Sequence, residues 1–189
     1  FMSINLSKIS TKAPSELNKK KIEAKTIDLV IKIGELQHKL YAEGKQSLLV
    51  ILQGMDASGK DGTVKTVFAD CNPSGIDVVA FKKPSEEEFA HDFLWRIHQK
   101  TPRKGNIMIF NRSHYEDILI QRVHKWITEE KAEKRMKAIN AFEELLEFDA
   151  NTKVLKFYMH ISPEKQQEKL QERIDDTTKN WKHKAADWD

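Results

Sequence analysis

Cysteine is nearly absent: Cys71 is the single one in 189 residues. One thiol allows no internal disulfide framework, so it fits a reducing compartment, with Cys71 as a small packing residue. No apolar run approaches the roughly 20 residues that span a bilayer, and the N-terminus lacks the hydrophobic core of a signal peptide. The expectation is a cytoplasmic protein with no membrane partner. A dominant charge is missing too. The 32 basic and 29 acidic residues leave a net +3, which does not argue for nucleic acid. With 39% hydrophobic and 32% charged residues, the chain reads as one domain with a well-solvated surface. Glycine is scarce, at seven residues, yet three of them fall between positions 54 and 62.

That cluster organises the chain. Gly54-Met55-Asp56-Ala57-Ser58-Gly59-Lys60-Asp61-Gly62-Thr63 follows the apolar run Leu48–Leu52 and precedes a helical pattern. Strand, glycine-rich turn and helix start are the context of a phosphate-binding loop. Gly54 and Gly59 let the backbone take positive φ and turn its N–H groups inward, Ala57, Ser58 and Gly62 join them as phosphate contacts, and Lys60 reaches a transferable phosphoryl group. Asp61 stands where a hydroxyl usually ligates magnesium, and Asp56 adds a second carboxylate. Two carboxylates beside phosphates repel them unless a divalent cation intervenes, so the loop predicts Mg2+.

Residues 1–25 are polar and read as an extended arm, including Lys19-Lys20-Lys21. From Thr26, Leu29, Ile33, Leu36 and Leu40 recur at helical spacing up to Gly44. Further strands are expected at 76–81, 107–110 and 154–161. A helix opens at the Ser85/Glu88 capping box with Phe89, Phe93, Leu94 and Ile97 as its apolar stripe, and another runs from about Thr128 to Phe148. Strands separated by helices predict an α/β fold of three layers, a parallel sheet covered on both faces, of P-loop type. The expected organisation is an arm (1–25), a kinase core (26–161) and a lid (162–189). The lid begins at Ser162-Pro163 as a mostly polar helix and ends in a lysine-rich tip, where Arg173, Lys179, Lys182 and Lys184 are candidate polyanion contacts. Trp181 and Trp188 are expected to anchor it by packing.

Asn111-Arg112-Ser113-His114-Tyr115-Glu116-Asp117 closes the third strand, and in parallel sheets the carboxyl ends of the strands face ligands. Arg112 is therefore placed on phosphate oxygens, and Asp117 or Glu116 on the metal from the far side. Capping of the next helix is the alternative use of these carboxylates. Lys82 and Arg96 are candidate nucleotide-phosphate contacts. For Arg96 the alternative is an ion pair with Asp92 one helical turn back.

Taken together, the loop, Phe81-Lys82-Lys83-Pro84-Ser85-Glu86-Glu87-Glu88, His91 to His98, Phe110 to Asp117, Arg173 to Asp176 and Lys179 to Lys182 resemble the polyphosphate kinase 2 family in order. The resemblance implies reversible phosphoryl transfer between inorganic polyphosphate and adenine nucleotides on a thymidylate-kinase-like core with a mobile lid. It implies an essential acid and base at Asp56 and Lys60, a Walker B region at Arg112 and Asp117, and a homo-oligomer. Asn111 and the Glu116-Asp117 pair are similar to the subgroup that accepts AMP as well as ADP. Family members continue past a lid, whereas this sequence stops at Asp189. Two other functions share these features: an ATP-dependent monophosphate kinase of thymidylate type and a non-catalytic nucleotide or polyphosphate binding module.

Overall fold

A strand with Leu, Val and Ile at every position from 48 to 52 has no face fit for water, so it belongs inside a sheet. The computed structural model, which describes residues 4–178, places it there. β1 (Ser47–Gly54) lies between β3 (Ile107–Asn111) and β4 (Thr152–Met159), and β2 (Ile76–Val79) pairs with the far side of β3. All three pairings are parallel, with Leu52 beside Asn111 and Phe157.

Seven helices surround this sheet among the described residues: α1 (Lys19–Glu43), α2 (Lys60–Val67), α3 (Glu86–Ala90), α4 (Trp95–His98), α5 (Glu116–Val123), α6 (Glu129–Phe148) and α7 (Pro163–Asp175). Strand alternation divides the core. Val50, Leu52, Ile107 and Ile109 pack under Leu40 of α1 and Val64 of α2. Leu49, Ile51, Met108 and Phe110 pack on Ile97 of α4 and on Phe142 and Leu146 of α6. Each such side chain contributes roughly 1.5–3 kcal/mol by leaving water. The three layers of the expected α/β fold are present.

Local signals set most helix ends. Asn18, Ser85, Thr128 and Ser162 accept N-cap hydrogen bonds, Ser85 and Glu88 complete a capping box, and Gly44 closes α1 at φ 59°. Two expectations change. α1 begins at Lys19 rather than Thr26, because Asn18 accepts from the Lys21 N–H and draws the lysine run into the first turn. The single helix expected after Ser85 is two short ones, since His91 takes extended backbone and Asp92 accepts from the Leu94 N–H. Only Ile97 of its expected stripe is buried. Strands β2 and β4 also end two residues early, at Val79 and Met159.

The chain leaves β1 for β2 on one side and returns from β3 to β4 on the other. The carboxyl ends of β1 and β3 therefore flank the point where the winding reverses, and a crevice opens there.

Candidate active site

In the loop after β1, positive φ falls at Ala57 (61°) and Gly59, not at Gly54 as expected. Gly59 sits at φ 93°, a region closed to most side chains, and hands the chain into α2. Gly54 is required for space: a Cβ there would stand 2.8 Å from the Met159 carbonyl oxygen. Lys60, only 8% exposed, donates from Nζ to the carbonyls of Gly54 (2.6 Å) and Met55 (2.9 Å) and to Ser58 Oγ (3.3 Å). Burial, then the Arg112 charge, lower its pKa from 10.5, against the opposing pull of Asp56, Glu116 and Asp61. Three carboxylates and a guanidinium thus surround one ammonium.

Arg112, just past β3, reaches across the crevice to pair with Asp56. Its backbone lies at φ 77°, strained for a residue with a side chain, and its carbonyl is held by the Phe81 N–H. Both partners are about half exposed, so the pair adds little stability and its value lies in placing charge. Beside it, Asn111 Nδ2 donates to Asp61 Oδ1 at 2.8 Å, while Asn111 Oδ1 is buried without a hydrogen bond. Gln53, at the end of β1, ties the next turn down: its amide donates to Glu116 at 2.7 Å and its oxygen accepts from Ser113 Oγ at 3.0 Å.

Asp117 turns the other way. Consecutive helical residues point about 100° apart, so Glu116 faces the loop and Asp117 faces α4. It is 2% exposed, Arg96 binds both its oxygens (2.9 and 3.1 Å), and Gln121 donates to it at 3.0 Å. The expectation that Asp117 meets a metal opposite the loop therefore gives way to a buried ion pair. Arg96 pairs with Asp117 and Glu88 rather than Asp92 and also donates to the Lys82 carbonyl. Glu88, Arg96, Asp117 and Gln121 wall a cavity of about 680 Å³, lined as well by Phe89, Phe93, Trp126 and Arg135. Of the two lysines after β2, Lys83 lies over the Trp126 ring and Lys82 contributes its carbonyl.

A second buried cluster escaped the sequence reading. Glu143 of α6 accepts from His114 Nε2 (3.2 Å), Tyr115 Oη (3.1 Å) and Lys156 Nζ (2.6 Å). Burial pushes the Glu143 carboxyl up, but hydrogen bonds from His114 and Lys156 together outweigh it and hold the group below 4.5. A carboxylate one residue from Phe142 on an apolar helix face was its only sequence signal. Gln53 and Arg135 were missed as well.

The donors at the loop fit a hard cation. Asp56, Asp61 and Asn111 are oxygen donors of the kind such a cation takes, and Asn111 lies against Asp61, although no group of three His, Cys, Asp or Glu gathers among the described residues. Magnesium suits such an open set, since it takes one or two carboxylates and completes its shell with water and phosphate. Lys60, Arg112, Asp56, Asp61 and Asn111 are thus brought together, and Arg96 and Asp117 stand behind them at the cavity. Arg173 lies in the last turn of α7, and Lys179, Lys182, Lys184, Trp181 and Trp188 lie outside the described residues.

The AMP/ADP-polyphosphate phosphotransferase of Meiothermus ruber is 49% identical over 156 residues, 82% of this chain and 58% of its own length. The ADP-polyphosphate phosphotransferase of Rhodopseudomonas palustris is 41% identical over 170 residues, 84% and 58% of the two lengths. The chain therefore spans a little over half of either relative. The crystal structure of polyphosphate kinase 2 from Arthrobacter aurescens TC1 superposes with a TM-score of 0.90 at 38% identity, covering 98% of this chain and 67% of that one. With the model of the polyphosphate kinase 2 family matching residues 16–189, the chain belongs to that family.

Proposed function

We propose that the chain carries the phosphoryl-transfer core of a polyphosphate-dependent nucleotide phosphotransferase, which moves the terminal phosphoryl group of inorganic polyphosphate reversibly to ADP and AMP. One observation carries this reading: a buried lysine in a phosphate-binding loop faces an Asp56–Arg112 pair across the β1/β3 crevice. The M. ruber relative, named for both acceptors, supports the pair of nucleotides.

An acceptor phosphate oxygen attacks the terminal phosphorus in line, and the bond to the bridging oxygen breaks. The shortened polymer leaves with the electron pair. The attacking oxygen is already anionic near neutral pH, so alignment and charge suffice without a strong base. Lys60 and the planar guanidinium of Arg112 stabilise the charge spread over the transferring group. Asp56, Asp61 and Asn111 would hold magnesium when it is bound, and its charge would neutralise carboxylates and phosphates that otherwise repel. Backbone N–H groups from Ala57 to Gly62 cradle phosphate. Asp117 acts through Arg96, fixing the wall of the cavity, where Phe89, Phe93 and Trp126 offer faces to a nucleoside. Lys82 is assigned to the nucleotide phosphates. The segment 162–189 serves as a lid, with Arg173, Lys179, Lys182 and Lys184 as polyphosphate contacts, on a cytoplasmic homo-oligomer.

The test supplies magnesium, long-chain polyphosphate and either AMP or ADP, and follows the nucleotides. ADP from AMP and ATP from ADP are expected. Turnover that needs ATP and ignores the polymer would reassign the chain to the monophosphate kinases, and binding without transfer would make it a sensor module.

A further inference from the structure

Arg112 keeps a backbone conformation that side chains disfavour, which persists only where the surroundings over-determine it. The surroundings come from four elements. The Arg112 N–H donates to the Leu52 carbonyl of β1, and its own carbonyl accepts from Phe81. Ser113 is locked on Gln53. The next two residues, His114 and Tyr115, both end on one carboxylate, Glu143 of α6, which Lys156 of β4 grips from its other oxygen. His114 and Ser113 are fully buried, so the turn that aims Arg112 is clamped from behind as well as in front.

Burying a carboxylate beside Ile139, Phe142 and Leu146 is costly, and apolar residues of similar volume often serve stability as well or better. Glu143 nevertheless sits there with every partner either in the Arg112 turn or on β4. Because Glu143 only accepts, His114 carries its proton on Nε2, which fixes the ring and leaves Nδ1 buried without a partner. The contact has direction and gives the turn one orientation.

We infer that Glu143 is a positioning residue for phosphoryl transfer: it holds the His114–Tyr115 turn so that Arg112 points at Asp56 and the phosphate site. The inference rests on the role given to Arg112 above. A misplacement of about 1 Å at a reacting group costs on the order of 10²-fold in rate.

The test is a double-mutant cycle with Glu143→Gln and Arg112→Ala, read as kcat and KM in the polyphosphate assay. Glu143→Gln is expected to lower kcat about 10- to 100-fold with KM changed less than about twofold. In the Arg112→Ala background the same change should move kcat by less than about twofold, because the residue through which it acts is gone. Losses that multiply, or an unchanged kcat in E143Q, would overturn the inference. Lys156→Met, at a half-exposed site, supplies a milder variant with the same expected signature should E143Q fail to fold. Independently of turnover, amide exchange at Arg112–Glu116 should quicken in either variant while the sheet stays protected; unaltered exchange there sinks the inference. An unsubstituted protein without polyphosphate-dependent turnover would refute the assigned reaction and leave exchange to judge the positioning.

Discussion

A lysine withdrawn from water and set beside a guanidinium holds its proton less firmly than an exposed one, and Lys60, buried near Arg112, is placed in this way. Its folded pKa lies below 10.5, so the transfer rate should fall on the alkaline side at a pH lower than an ordinary lysine would give. Asp56 opposes that shift. Asp56→Asn should therefore move the alkaline limb further down and cut kcat by about 10²- to 10³-fold, as a pH–rate profile with polyphosphate would record. Gly62 separates stability from function. It lies inside α2 at ordinary φ, and a Cβ there would meet nothing within 4 Å of the protein. Gly62→Ala should then raise stability by about 0.5–1 kcal/mol and, with the first turn of α2 cradling phosphate as proposed, lower activity. Urea midpoints and turnover, measured together, check both halves.

Between elements, the Arg96–Asp117 pair joins α4 to α5 across 21 residues of sequence. Both members are buried, so losing one leaves the other's charge exposed to an apolar wall rather than to water. Asp117→Asn is expected to destabilise the protein by about 3 kcal/mol, seen as a lower urea midpoint with unchanged slope. Glu88 still holds Arg96 in that variant, which keeps the cost at the low end for a broken buried pair. Helix α1 shows the complementary case. Gly34 lets it lie directly against Asp70, where a Cβ would come within 2.6 Å of the backbone oxygen, so that contact depends on having no side chain at all.

For the molecule as a whole, the Glu143–Lys156 pair shapes stability against pH. Glu143 titrates below its ordinary 4.5 in the folded state, so the unfolded chain takes up its proton first and stability falls as pH drops through that range. Lys156 behaves in reverse. Burial pulls it down, but the hydrogen bond to Glu143, with the charges of Tyr115 and Glu143, raises it above 10.5, and its contribution is lost as pH rises past that value. Unfolding free energy should hold its contribution from this pair between about 4.5 and 10.5. Glu143→Gln should flatten the acid limb, which denaturant titrations at stepped pH would show.

The phosphate loop, the apolar central strand, the parallel α/β architecture, the capping box at Ser85 and the helix starts near Thr128 and at Ser162-Pro163 were all legible in the sequence. Each depends on residues a few positions apart, so local spacing carries the information. Lys60 and the Asp56–Asp61 carboxylates belong to the same stretch. Where the chain must compare distant residues, spacing is silent. Whether Asp117 turns to the loop or to Arg96, whether Arg96 chooses Asp92 or a partner 21 residues on, and why α6 buries Glu143 are settled by which helices the sheet brings together. Parallel crossovers supply those meetings only after the strands have found their order, and a carboxylate has the same neighbours in sequence whichever charge it finally faces.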